Sequence, residues 1–226
     1  MDVSEAVAAR RSVRGFLDTP IDPALLRELA IKAARAATGG NIQPWHIDIV
    51  QGDAMAELKA IMQARLAARE RETPGYDIYP REMADHHRAR TFAVGEQLYA
   101  HLGIPRDDKA ARLLWFARNF QFFGAPAAYF CTVDRRMGPP QWADCGMYLQ
   151  NLMLLAVEAG LATCPQECWA MYPHTVERFL GTPPERMLFC GVAIGHEDPD
   201  EPANRNRAPR ADPEEWLSEV VVPTSG

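Results

Sequence analysis

The chain has 226 residues, 47% hydrophobic and 24% charged, which fits one soluble domain with its own core. A formal net charge of −6 argues against a surface built to grip a phosphate backbone, so nucleic acid is excluded as a main partner. The five cysteines are an odd number behind an N-terminus with no basic-then-apolar leader, so reduced thiols in the cytoplasm are expected.

The opening predicts a short helix with Ser4 as N-cap and Val7 on its apolar side. A second helix follows Asp22 as N-cap and Pro23 at the first turn. Its apolar face is Leu25, Leu26, Leu29, Ala30, Ala33 and Ala36, and it stops at Gly39-Gly40. His46 to Val50 reads as a strand, and Asp53 begins a helix to about Arg71. Residues 72 to 90, with Thr73-Pro74-Gly75-Tyr76 and Tyr79-Pro80-Arg81-Glu82, read as a charged, aromatic loop or lid. Helical patterns resume over Phe92–Leu102 and Asp107–Phe122, and Ala127–Val133 is a buried-strand candidate.

Pro140 to Ala159 predicts a long helix ending at Gly160. Asp144, Gln150, Asn151 and Glu158 interrupt the longest apolar stretch, from about Trp142 to Ala162, so it reads as a buried helix rather than a membrane span. A short helix over His174–Leu180 precedes a strand over Met187–Gly195. Glu197 to Arg210 is polar and proline-rich, and Val220 to Val222 is a candidate last strand. This tail is too poor in apolar residues for a core of its own, so it is either disordered or packed on another surface.

No dinucleotide fingerprint, phosphate-binding Walker loop, H-E-x-x-H or G-x-S-x-G occurs. Cys164 and Cys168 lack C-x-x-C spacing and have no further pair of ligands nearby, so no metal site is expected. His46, His174 and His196 are scattered. With no self-sufficient catalytic set, the chain fits an enzyme whose chemistry comes from a cofactor.

Two basic clusters stand at opposite ends, Arg10-Arg11-Ser12-Val13-Arg14 and Arg205-Asn206-Arg207-Ala208-Pro209-Arg210. Arginine forks and a serine hydroxyl suit one phosphomonoester; the alternative is two solvated patches. Thr38-Gly39-Gly40-Asn41-Ile42-Gln43-Pro44-Trp45 offers close backbone approach and amides for a heterocycle edge, or is a helix C-cap with a polar turn. Gly160 to Glu167 is a helix end followed by a short extended run, which is also an ordinary connection.

Taken together, these segments resemble the nitroreductase family. Arg10 to Phe16 resembles its N-terminal FMN motif, and Gly40-Asn41-Ile42-Gln43-Pro44-Trp45 its second motif. Asp144, Gln150-Asn151-Leu152 and Gly160 to Gln166 resemble its third. Gly191 to Arg210, with Gly195-His196-Glu197-Asp198-Pro199-Asp200, resembles its C-terminal segment. The four occur in family order and cover most of the chain.

The resemblance implies an α+β fold over residues 1–226 as a single FMN-binding domain: a central, mostly antiparallel sheet flanked by helices. About 72–122 would be a helical lid or insert, and about 197–226 a dimer extension. It implies an intertwined homodimer, with the C-terminal tail wrapping the partner and FMN at the subunit interface. Arg10, Ser12, Arg207 and Arg210 would hold the phosphate, with Arg11 contributing and Arg205 a lesser member. Arg14 would lie near the N1–O2 edge of the flavin. Thr38, Gly39, Asn41 and Gln43 would reach the flavin from the partner, and Asp144 would be a polar cofactor contact. Pro165, Gln166 and Glu167 would line the ring, a backbone N–H facing N5. The family often carries serine before Asn41, where this chain has Gly39 and Gly40, so side-chain bonds from those positions are not expected.

The implied activity transfers hydride from NAD(P)H through flavin N5 to a nitroaromatic or similar electron-poor acceptor by a ping-pong mechanism, without a catalytic side chain. Two rivals remain: a reductive dehalogenase of halogenated aromatics on the same scaffold, and a flavin-storage protein. For the acceptor, the lid offers Tyr76, Tyr79, Arg81, Arg88 and Arg90, with Glu82, but no lysine between Lys59 and Lys109. The dehalogenating relatives are expected to use a lysine there, so a nitroaromatic, one bearing a carboxylate included, is favoured. The alternative is a solvated charged loop.

Overall fold

The computed structural model describes residues 1–220. In chain order it holds α1 (Val3–Ala9), α2 (Pro23–Ala33), β1 (His46–Gln51), α3 (Gly52–Ala67), α4 (Asp85–His101), α5 (Lys109–Ala117), β2 (Ala127–Asp134), α6 (Pro139–Glu158), β3 (Ala162–Gln166), α7 (Pro173–Leu180) and β4 (Arg186–Gly195). The strands form one antiparallel sheet in the order β1-β2-β4-β3. This is the α+β arrangement expected from sequence. No helix among the described residues is long and apolar enough to cross a membrane.

The two central strands are buried on both faces, which explains why they read as continuous apolar runs rather than alternating ones. Along β2, Ala127, Tyr129, Cys131 and Val133 face α2 and α6, while Ala128 and Phe130 face α3, α5 and the aromatic turn Arg118–Gly124. Between Cys131 and Thr132 the β2–β4 register slips and leaves Phe189 without an opposite residue. The carbonyl freed at Phe189 accepts the Tyr76 hydroxyl.

The helix ends show where local reading fell short. Asp2, not Ser4, caps α1: its carboxylate accepts the Glu5 N–H at 2.8 Å and Glu5 returns the bond, also at 2.8 Å. With the helix starting earlier, its inward face is Ala6, and Val7 is exposed. Asp22 and Pro23 do open α2, with the Asp22 side chain 2.8 Å from the Ala24 N–H. That helix ends at Ala33 rather than at Gly39-Gly40, because α6 grips its C-terminal carbonyls. The Tyr148 hydroxyl donates to Ala30 O at 2.8 Å and the Asn151 amide to Ala33 O at 3.4 Å.

Helix α3 stops at Ala67, short of Arg71, with Arg69 at a positive φ of 56°. Residues 85–90, expected as loop, are the first turns of α4. The helix expected over Asp107–Phe122 breaks after Ala117, since Phe122 and Phe123 both take a φ of 53° and turn their rings into the core. Of the candidate last strand, Val220 is exposed and outside any strand, and residues 221 and 222 lie outside the described residues.

Gly191 on β4 lies directly under Trp169. A Cβ there would stand 2.5 Å from Trp169 Cδ1 and 3.1 Å from Phe130 Cε1. Trp169 is fully buried among Phe120, Phe122 and Phe130 and has nowhere to retreat. Gly191→Ala is therefore expected to destabilise the fold by about 1–3 kcal/mol, read as a lower denaturant midpoint at unchanged slope. A midpoint equal to that of the parent contradicts this packing.

Candidate functional site

Residues 10–17 run as an extended strap between the sheet and the C-terminal segment. On one side, Ser12 bridges to Thr163 on the free edge of β3, and the Val13 N–H donates to Thr163 O at 3.0 Å. On the other side, the Arg14 N–H donates to Asn204 Oδ1 at 2.7 Å. Asn204 Nδ2 donates to Gly15 O and Asp198 O, both at 2.9 Å. Leu17 N–H reaches His196 O at 2.9 Å, and Asp198 N–H reaches Gly15 O at 3.0 Å. The approach is so close that a Cβ on Gly15 would fall 2.2 Å from Glu201 Cγ.

This stitching brings the two arginine clusters together across nearly two hundred residues of sequence. Arg10, Ser12, Arg14, Arg207 and Arg210 line one cleft of about 600 Å³, floored by Val7, Ala8 and Val94, with Gln150 and Asn206 on its walls. Arg11 also borders it, but its guanidinium is paired with Glu197. Arg205 ends the turn Pro202–Arg205, exposed and outside the lining set. The Arg10 guanidinium is held below its usual pKa, first by burial and then by the charge of Arg210. Cations crowded into a partly buried cleft call for an anion. Asn206 Oδ1 is buried there with no hydrogen-bond partner among the described residues. The donor set and the orphaned amide both fit a phosphate-bearing polyol.

Arg14 lies beside β3. Burial pushes the Cys164 thiol up to about 11, and the nearby charge of Arg14 works in the opposite direction. Pro165 and Glu167 continue along that edge, whereas the Gln166 side chain is turned inward. Its Nε2 donates to Asn119 O at 2.8 Å, and its Oε1 accepts from the Trp169 indole at 3.3 Å. Only the Gln166 backbone is left to face a ligand.

The loop 38–43 is held from α6. The buried Asp144 carboxylate accepts the Thr38 hydroxyl at 2.9 Å and the Gly39 N–H at 3.1 Å, and Thr38 Oγ1 accepts the Gln43 N–H at 3.0 Å. Gly40, Asn41 and Gln43 take φ of 57°, 58° and 52° on either side of a right-handed Ile42, which costs energy at the two amides, and Asp144 anchors the start of this loop through Thr38 and Gly39. Asp144 thus acts through the loop, and both of its loop contacts are spent there. None of Thr38, Gly39, Asn41 or Gln43 lines the arginine cleft of the same chain.

Of the five lid candidates, the structure brings three together. Tyr79, Arg81 and Arg88 border a second cleft of about 930 Å³ with Met83, Thr91 and Phe92. Arg81 pairs with Asp77 at 3.0 Å, and Arg88 with Asp85 at 3.4 Å. These are exposed, weak pairs that a ligand can replace. Tyr76 faces elsewhere: its ring packs edge-on to Trp142 with centroids 5.3 Å apart, and its hydroxyl is bound to Phe189 O. Burial drives that phenol well above its usual pKa. Arg90 also turns away, to Glu215 at 2.7 Å. Sequence reasoning missed Asn204, and it quoted Asn206 and Gln150 within their motifs without giving either a role in the site. The signal for the first two was an asparagine on either side of Arg205.

Comparison with known proteins identifies the family and the fold. The model of the Nitroreductase family matches residues 7–196. A 4-nitrobenzoate reductase of Pseudomonas putida is 34% identical over 92% of this chain and 91% of its own length. A nitrobenzene nitroreductase of Ectopseudomonas oleovorans is 32% identical over 96% of both. Among solved structures, the FMN and NADPH-dependent nitroreductase NfnB of Sphigopyxis sp. strain HMH superposes with a TM-score of 0.94. It is 49% identical, over 98% of this chain and 100% of that one. The FMN-dependent NfnB of Mycobacterium smegmatis, in complex with NADPH, gives a TM-score of 0.91 at 28% identity, over 97% and 100%. By sequence and by fold, the chain belongs to the nitroreductase family.

Proposed function

We propose that the protein is an FMN-dependent nitroreductase that draws reducing equivalents from NAD(P)H and delivers them to a nitroaromatic. The observation that carries the reading is the convergence of Arg10, Ser12, Arg14, Arg207 and Arg210 on one cleft, in a chain 49% identical to an FMN and NADPH-dependent nitroreductase. Bound in the arginine cleft, the flavin would supply the redox chemistry, hydride transfer from NAD(P)H through N5 to the acceptor in a ping-pong sequence.

The residues of this chain bind, orient and tune. Arg10, Arg207, Arg210 and Ser12 hold the phosphate, while Arg11 stays with Glu197. Arg14 supplies positive charge beside β3, and it would offset the negative charge that reduction adds to a flavin held there. Pro165, the Gln166 backbone and Glu167 line the ring. Asp144 fixes the loop that presents Asn41 and Gln43.

The same reading includes a homodimer. The loop 38–43 lies outside its own chain's arginine cleft, so a second copy brings it to the flavin. Helix α4 buries no residue completely, and Trp216, Leu217 and Val220 stand 68%, 58% and 92% exposed. The outer edge of β1 is unpaired among the described residues and carries the exposed Ile49. Residues 197–206, expected from sequence as part of a partner-wrapping tail, pack instead on their own strap, so only the exposed end beyond them is left to wrap a partner and cover such surfaces.

Three outcomes test the proposal. Purified protein oxidises NAD(P)H in the presence of a nitroaromatic and only slowly without one; equal rates would mark a flavin-storage protein. It carries about one FMN per subunit, and replacing both Arg10 and Arg210 by alanine raises the FMN Kd by at least about a hundredfold. Each charge-assisted bond contributes about 1.5–3 kcal/mol. An unchanged Kd removes the phosphate role. Light scattering gives a dimer, and a monomer that keeps FMN and activity refutes the shared site.

The acceptor reading makes a further prediction. Arg81 and Arg88 border the lid cleft with Tyr79, where a guanidinium can meet a substrate carboxylate and the phenol ring can stack. Exposed charge pairs are worth about 0.2–1 kcal/mol. Arg81→Ala and Arg88→Ala are therefore expected to narrow the kcat/KM preference for 4-nitrobenzoate over nitrobenzene by up to about fivefold. Arg90→Ala leaves the preference unchanged, since Glu215 holds that side chain. If neither lid variant narrows it, these arginines do not read the carboxylate.

A further inference from the structure

Asn206 follows the turn Pro202–Arg205 and closes it with its own N–H, 3.2 Å from Ala203 O. The residue is 7% exposed and lies on the wall of the arginine cleft. Its Oδ1 is buried without a donor among the described residues. The same cleft holds a second orphan of opposite kind, the buried Nε of Arg11, which donates to nothing even though the guanidinium terminus is paired with Glu197. Buried polar groups are nearly always bonded, so orphans on a ligand cleft mark atoms that a ligand completes.

The chemistry of each orphan limits what can complete it. A phosphate dianion has only acceptors to offer, and Arg10, Ser12, Arg207 and Arg210 already supply it with donors. It gives nothing to an amide oxygen. A hydroxyl does both: its proton answers an acceptor, and its lone pairs answer a donor. FMN carries three such hydroxyls on the ribityl chain that joins its phosphate to its ring.

We propose that Asn206 reads the polyol arm of the cofactor, its Oδ1 accepting a hydrogen bond from a ribityl hydroxyl, separately from the arginines that hold the phosphate. The assignment rests on the FMN reading above and adds a polyol-specific contact to it. It also explains why an uncharged residue stands inside the basic run Arg205-Asn206-Arg207. A cation there would strengthen the grip on phosphate and lose the acceptor.

The test uses the full chain stripped of flavin. The FMN Kd is read from quenching of flavin fluorescence, and the Ki of inorganic phosphate from its competition with FMN. Asn206→Leu, of similar size but without polar atoms, is expected to raise the FMN Kd by about tenfold, the size of one net hydrogen bond. It leaves the phosphate Ki unchanged. Asn206→Asp keeps an acceptor at the same atom and is expected to bind FMN more tightly than Asn206→Leu. The proposal is overturned if phosphate Ki rises in step with FMN Kd, because the amide then holds the phosphate. It is equally overturned if the leucine variant binds FMN like the parent, or if the aspartate variant binds more weakly than the leucine one. Should Asn206→Leu lose its far-ultraviolet dichroism, Asn206→Ala takes its place in the same comparisons. A parent protein that fails to bind FMN refutes the cofactor reading itself, which separates the two failures.

Discussion

The side-chain amide of Asn204 accepts the Arg14 N–H and donates to the carbonyls of Gly15 and Asp198, and through these bonds the two ends of the fold become one surface. The residue is 6% exposed, so each bond is made where water does not compete for it. Removing the amide would leave one N–H and the partners of Nδ2 short of bonds in a buried place, at about 1–3 kcal/mol for each group left unpaired. Without it the strap carrying Arg10, Ser12 and Arg14 keeps the edge of β3 and the backbone bonds at Gly15 and Leu17, but the Arg14 N–H loses its tie to the turn that leads into Arg207 and Arg210.

A second constraint is electrostatic. A chain with a net charge of −6 nevertheless builds a cationic cleft, and it does so by placing its carboxylates selectively. Glu197 takes Arg11 and Glu201 takes Arg118, both from the segment that frames the strap. Arg10, Arg14, Arg207 and Arg210 have no carboxylate partner among the described residues, so their charge remains available to a ligand. Overall charge excluded a nucleic-acid surface but said nothing about this site, because one small phosphate responds to the few charges around it.

Local chemistry was legible where one short segment decides the outcome. Asp22 with Pro23 opened α2, the apolar run gave β2, and Gly160, at a φ of 74°, closes α6. It was not legible where a distant partner decides. Tyr76 looks like a lid aromatic until the register slip at Phe189 offers it a carbonyl from more than a hundred residues away. Arg90 looks like its neighbours until Glu215 of the tail reaches it. Phe122 and Phe123 read as helix because nothing local requires a left-handed turn there. The requirement comes from the aromatic packing around Trp169 and from the Phe16 N–H, which takes Phe123 O at 3.2 Å. The arginine motifs were readable as composition and as family pattern, while Asn206 between them carries meaning only once its burial is known.

Helix α4 joins these parts. Near its start, Arg88, Thr91 and Phe92 border the lid cleft. One turn on, Val94 floors the arginine cleft and the Gln97 amide reaches Arg207 O at 3.3 Å. The helix is therefore tied at its middle to the segment that lines the arginine cleft, while its first two turns border the other cavity. Arg90, between the two, is fastened to the tail. The contact that ties the helix to the arginine cleft uses the Gln97 amide and a backbone carbonyl, so Tyr79, Arg81 and Arg88 can change without touching it, whereas Arg90 is itself an anchor. Under the proposed function, with relatives named for 4-nitrobenzoate and for nitrobenzene, Tyr79, Arg81 and Arg88 are the positions at which acceptor preference is free to change while the cleft clamped by Asn204 stays as it is.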